Sequence, residues 1–192
     1  MSFYQSANAL LGTDRAETMV ETPQEWKTYI HLREVIYSRF LPGYVEHNLK
    51  SEVMWVLRGR YASGEDIGIR VHPGDICWLD YGQSFNNEMG YQHFGLILSI
   101  SHRKALVIPL TSNEEMYRKA GECSPHYDHL MQIGMPKGLR KNSTLFLNDL
   151  RYINTARILH TRAHIDVDSE LFLEIRKRVT EILFSGSGQK SS

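Results

Sequence analysis

The apolar positions of this chain change period twice. Trp26, Tyr29, Leu32, Ile36 and Phe40 recur at helical spacing until Leu41-Pro42-Gly43 stops the element. Thr22-Pro23-Gln24-Glu25 supplies its start, with a capping threonine, proline at the first helical position and glutamate three residues after the cap. Val45, Leu49, Val53, Val56 and Leu57 predict a second helix. Both apolar stripes are expected to pack against the region that follows.

From about Asp66 to Arg157 the pattern shifts to short apolar runs bounded by Gly, Ser, Asn or Pro. Ile76 to Tyr81, Phe94 to Ile100, Ala105 to Leu110 and Thr144 to Leu147 read as strands, with a short helix at Glu114 to Ala120 in a connection. Strands so short and so closely spaced predict a small barrel or sandwich rather than a parallel sheet. At Asp168-Ser169 the helical period returns. Leu171, Phe172, Ile175, Val179, Ile182 and Leu183 take one face, and Glu174, Lys177, Arg178 and Glu181 the other. Asp168 and Glu170 complement the dipole of its first turn. Residues 1 to about 20 carry little pattern and are expected to be mobile, and Ser185 to Ser192 read as a flexible tail. The class predicted is α+β: a helical extension over residues 1–65, a barrel domain over 66–184 and the tail over 185–192.

Composition narrows the partners. Across 192 residues, 22 lysines and arginines balance 22 aspartates and glutamates, so any nucleic-acid surface has to be a local basic patch. Only Cys77 and Cys123 are present, and the first residues lack the basic head and apolar run of a signal peptide. The chain therefore reads as intracellular, reduced and cytoplasmic. It has no apolar run of the ~20 residues that span a bilayer, so no membrane association is expected.

The segments GDICWLDYG, NNEMGYQH before an apolar strand, VIPLTS and KNSTLFLNDLRYINTARI occur in an order that resembles the MazF/PemK family of toxin endoribonucleases from toxin–antitoxin systems. The likeness covers roughly residues 73 to 183. Its most specific part is the late block, where Ser143 and an apolar strand precede Asp149-Leu150-Arg151-Tyr152-Ile153-Asn154 and Arg157-Ile158. The resemblance implies an SH3-like barrel with a C-terminal helix, a homodimer, metal-independent and sequence-specific cutting of single-stranded RNA, messenger RNA foremost, and an antitoxin partner. No cofactor is implied. In such enzymes an arginine followed by proline usually stands where the first strand-loop-strand connection re-enters the barrel; here that position is His93-Phe94.

The chemistry itself names candidates. Cleaving RNA without a metal needs a base for the ribose 2′-OH, donors for the charge that builds on phosphorus, and an acid for the departing 5′ oxygen. His93, with an ordinary pKa near ~6.5, serves as base or acid at neutral pH. Glu88 is placed to orient that imidazole, and Thr111, with Ser112 behind it, to offer a hydroxyl to the phosphate. Asn86, Asn87, Tyr91 and Gln92 lie in a loop suited to bonding and stacking with splayed bases. Ser143, Lys137, Arg140 and Lys141, with Arg103 and Lys104, are the candidate RNA-backbone contacts. Each of these also has a plainer reading as an ordinary strand-end, turn or solvated-surface residue.

Two competing readings follow from the same residues. Cys123, His126 and His129, with His160 or His164, are donor types that zinc accepts, but no paired-cysteine unit accompanies them and no metal is expected. The loss of the arginine is also compatible with a barrel that has no catalysis, either a gyrase-binding toxin of the CcdB kind or an RNA-binding regulator. The N-terminal helices are expected to add to a dimer interface, cover the RNA groove or bind a partner.

Overall fold

The sheet is organised around one strand that pairs on both edges. In the computed structural model, which describes residues 24–184, β3 (Lys104–Thr111) pairs with β2 (Gln92–Ser101) on one side. On its other side its first half pairs with β6 (Arg151–Asn154) and its end with β5 (Ser143–Phe146). Beyond β2 come β1 (Asp75–Asp80) and β7 (Ile158–His164), and beyond β5 comes β4 (Leu130–Gly134). All pairings between the strands are antiparallel. The runs of Ile, Leu and Val that predicted strands form β1, β2, β3 and β5. Three strands were not foreseen: β4, β6 and β7 interleave polar residues too densely to show a two-residue period.

The α+β class is observed, with seven strands, but the sheet is not closed by hydrogen bonds. Strands β4 and β7 end the order without pairing to each other. Their side chains instead meet in one core, where Ile133 of β4 and Ala163 of β7 join Ile76, Leu96, Ile108 and Leu145. Against this core lies the C-terminal helix, which seats Phe172, Ile175 and Val179 along one stripe. A second core, on the opposite face of the sheet, gathers Cys77, Leu79, Tyr81, Ile97, Val107, Ile153 and Ile158.

Two helices precede the sheet, α1 (Gln24–Tyr37) and α2 (Pro42–Arg58); α3 (Glu114–Ala120) lies between β3 and β4, and α4 (Glu170–Phe184) follows β7. The expected packing of both N-terminal stripes does not hold. No residue of α1 is buried, and Trp26, Tyr29, Leu32 and Ile36 stay exposed. Helix α2 buries Asn48 and Ser51 instead of its valines, because it docks on polar backbone and loop rather than on an apolar face. The residue Thr22-Pro23 start, the N-terminal stretch and the tail lie outside the described residues. No described helix is long and apolar enough to cross a membrane.

Candidate functional site

The site is built around the loop from Tyr81 to Tyr91, which joins β1 to β2. Tyr81 and Tyr91 close its neck, with the Tyr81 amide donating to the Tyr91 carbonyl at 2.7 Å and the Tyr91 amide to the Gly82 carbonyl at 2.6 Å. Tyr91 needs a left-handed backbone, φ 55°, to make the turn, and Asn87 another at φ 68°. From the inside, Asp149 takes the Met89 amide at 2.6 Å and pairs with Arg151, whose guanidinium lies over the Tyr81 ring. From the outside, α2 holds both arms. Asn48 donates to the Tyr91 hydroxyl at 2.8 Å and accepts from the Gln83 side chain at 2.7 Å. Ser51 donates to the Asp80 carboxylate at 2.5 Å, and the Tyr44 and His47 rings pack on Tyr91.

His93 follows directly on β2, opposite Leu79. Its Nδ1 lies 2.6 Å from the Gly90 carbonyl, which can only accept, so Nδ1 carries the proton and Nε2 keeps the lone pair of the neutral ring. Burial pushes the His93 pKa down; the Gly90 bond opposes that shift and the charge of His47 adds to it. Neutral imidazole is thus the favoured form at neutral pH.

Strand alternation decides what shares its face. A side chain at Gly95 would run into Tyr81 and Val107 of the second core, so His93, two residues earlier, lies on that face, while Phe94 turns to the first core. The same parity puts Thr111 opposite in sense to Leu110, and Thr144 opposite to Leu145. The pairing of Phe94 with Leu110 carries on to set His93 and Thr111 at neighbouring strand ends, and Thr111 pairs with Thr144. Thr111 Oγ1 accepts from the Asn113 amide at 3.2 Å, which leaves its own proton available to another acceptor. Among the described residues, Thr144 Oγ1 is buried without a hydrogen-bond partner.

The remaining candidates divide. Glu88 is exposed and accepts from the Phe85 amide at 3.4 Å; the bond to the His93 ring is made by Gly90 instead. Asn86 and Asn87 stand exposed at the tip of the loop, Gln92 is half-buried at its base, and Tyr91 is spent on contacts with α2. Ser112, Arg140, Lys141 and Ser143 converge on one cleft of about 460 Å³, joined there by Phe94, Leu110, Leu139 and Arg162. A second cleft of about 440 Å³ adjoins it through Ser112, Arg140 and Lys141. Lys137 does not line either cleft, and Arg103 and Lys104 sit at the far end of β3 from Thr111. Asn48, Ser51 and Arg162 were missed by sequence reasoning, the first two because a polar residue inside a helical pattern carries no sign that it is buried.

The sulfur and imidazole donors are not gathered. Cys123 is exposed, His129 lies beside Asp128, His164 bonds Asp75 at 2.8 Å, and His160 pairs with Trp78 across β1 and β7. Among the described residues, no group of three or more His, Cys, Asp or Glu side chains is arranged to hold a metal ion. Burial pushes the Cys77 thiol up to about 11, so it stays protonated.

Residues 72–183 match the family model described as PemK-like, MazF-like toxin of type II toxin-antitoxin system. Among solved structures, MazF (Form-I) from Deinococcus radiodurans is 17% identical, covers 60% of this chain and 97% of its own, and gives a TM-score of 0.45. The MazE-MazF complex (Form-II) from the same organism is 18% identical over 59% of this chain and 95% of its own, with a TM-score of 0.41. An endoribonuclease in complex with its cognate antitoxin from Mycobacterial species is 9% identical over 60% of this chain and 96% of its own, also at 0.41. No curated protein matched. The family match takes in β1 through most of α4, and so every strand of the sheet together with His93 and Thr111. By that match, the chain belongs to the family of PemK-like, MazF-like toxins of type II toxin-antitoxin systems.

Proposed function

We propose that this toxin is a metal-independent endoribonuclease that cuts single-stranded RNA, messenger RNA foremost, at specific sequences in the cytoplasm. It acts as a homodimer and is held by a cognate antitoxin. The observation that carries the reading is the placing of His93 and Thr111 at neighbouring strand ends on one face, beneath a loop of exposed amides.

His93 Nε2 takes the proton of a ribose 2′-OH, and the freed oxygen attacks the adjacent phosphorus. Thr111 donates its hydroxyl proton to a non-bridging oxygen as negative charge gathers there. The bond from phosphorus to the 5′ oxygen breaks, and the imidazolium returns its proton to that oxygen. The products are a 2′,3′-cyclic phosphate and a free 5′-OH. Asn86, Asn87 and Gln92 read bases splayed across the loop, with Tyr91 setting its shape and Glu88 fixing its tip through the Phe85 amide.

The test is incubation with mixed-sequence single-stranded RNA in EDTA, using the parent, His93→Ala and Thr111→Ala, with the fragment ends mapped. Cyclic-phosphate ends from the parent, lost in His93→Ala, are expected. RNA left intact by every protein overturns the nuclease and leaves a toxin that works by binding, whether to gyrase or to RNA.

A further inference from the structure

The basic cleft lies on the other face of the strands that carry His93 and Thr111. Phe94 and Leu110, its inner wall, are the immediate neighbours of His93 on β2 and of Thr111 on β3 and turn the opposite way. The two sites are therefore back to back across the same strand ends.

The cleft exists because a loop is pulled onto the sheet edge. Gly138 has φ 105°, and a Cβ there would stand 2.7 Å from the Arg162 carbonyl and 3.1 Å from Ala163. With glycine, the loop after β4 lies flush on β7 and brings Arg140 and Lys141 to Arg162. These three cations form no ion pair or hydrogen bond through their charged groups with any described residue. Of the residues lining the two adjoining clefts, Glu114 is the carboxylate, and it lines the second. Three unpaired cations around a hollow with a hydroxyl floor, Ser143, and an aromatic wall answer to a phosphate joined to a flat base. Phe94 is fixed for that role by its edge-on contact with Trp78, ring centres 4.8 Å apart.

We propose that this cleft binds a nucleotide flanking the one that is cut, its phosphate held by Arg140, Lys141 and Arg162 and its base laid against Phe94. The proposal rests on single-stranded RNA as the substrate. The RNA then bends over the end of the sheet, with the scissile phosphate on one face and the flanking nucleotide on the other.

The test is binding of a fluorescein-labelled, fully 2′-O-methylated mixed-sequence oligonucleotide, which lacks the attacking hydroxyl, measured over a series of salt concentrations. Arg162→Gln and Arg140→Gln are each expected to lower the slope of log affinity against log salt, and together by about 0.7, the share of the one phosphate they hold on a single strand. Arg162→Lys keeps the slope, Glu114→Gln tightens binding, and Phe94→Leu weakens it about tenfold without changing the slope. Absence of binding by the parent overturns the proposal, as do unchanged slopes in both glutamine variants with melting temperatures equal to the parent's. Slopes that fall as expected while the parent leaves unmodified RNA whole keep the cleft and sink the nuclease instead.

Discussion

Asn48 of α2 donates to the Tyr91 hydroxyl at 2.8 Å, and its carbonyl oxygen accepts from Gln83 at 2.7 Å. One buried amide thus clasps both arms of the loop that precedes His93. Because Asn48 lies outside the stretch matched by the family, the clasp belongs to this chain's own extension.

Asn48→Ala removes the bonds to both the Tyr91 hydroxyl and the Gln83 amide. The expected cost in stability is about 1 kcal/mol, the net worth of such bonds where the partners left behind reach water or another side chain, read from chemical denaturation. Tyr91→Phe removes one of the same bonds, so the double variant is expected to lose less than the sum of the two singles. Strict additivity would show that the bond carries no coupling.

His93 sets the pH response. Its folded pKa lies below the ordinary ~6.5, so the unfolded chain binds the extra proton first as pH falls. Stability from this group is present above about pH 6.5, declines as pH drops below that value, and levels off under the folded pKa. His93→Gln is expected to flatten that part of a stability-versus-pH curve. In the parent, the acid limb of the cleavage rate is expected below pH 6.5, and His47→Gln, which removes an opposing charge, is expected to move it upward. A limb unmoved by His47→Gln would show that the two rings do not interact.

Thr111 separates hydroxyl from shape. Thr111→Val keeps the branched strand side chain and is expected to lower the cleavage rate about 10²–10³-fold, the effect of losing one donor to a developing oxyanion. Thr111→Ser is expected to keep most of the rate. Equal loss in both variants, measured under single-turnover conditions, would remove the hydroxyl from the chemistry.

How much of this was open to sequence reading depends on which force placed the residue. Strands β1, β2, β3 and β5 were legible because their aliphatic runs are what the two cores bury. The run Arg151–Asn154 pairs to β3 through backbone alone while its side chains stay mixed, and nothing in its pattern says so. Helix α1 shows the converse, an apolar stripe that predicts a partner surface and meets none among the described residues. At the site, the order of segments placed His93 and Thr111 near one another. Only the fold of the loop after β4 could bring Arg140 and Lys141 to Arg162, because that approach is made by Gly138 and by strand β7, which sequence reading had missed.

Thr144 is a buried hydroxyl that gains nothing from folding. Thr144→Val is expected to leave stability level or raise it by up to about 1 kcal/mol, because the unmet desolvation of the hydroxyl disappears. A clear drop in melting temperature would mean that the hydroxyl is satisfied by solvent in the folded protein.

A chain beginning at Asp66 loses more than surface. Asp80 keeps its buried carboxylate without Ser51, and the Ala156 and Ile158 carbonyls lose the Arg58 guanidinium that bonds them at 3.2 Å and 2.7 Å. The shortened protein is expected to melt lower and to bind the oligonucleotide more weakly than the parent. Equal melting and equal binding would make the helices an independent module.

The ties of α2 also fix an order of events during synthesis. Ser51, Asn48 and Arg58 find their partners 29, 43 and 100 residues further along the chain, at Asp80, Tyr91 and Ile158. Helix α2 leaves the ribosome first and waits for all of them, since contacts so distant in sequence form only after the intervening chain has been made. A translation product interrupted before Ile158 therefore lacks the Arg58 tie, and the cell that makes this toxin meets the full set of contacts only when the chain is nearly finished.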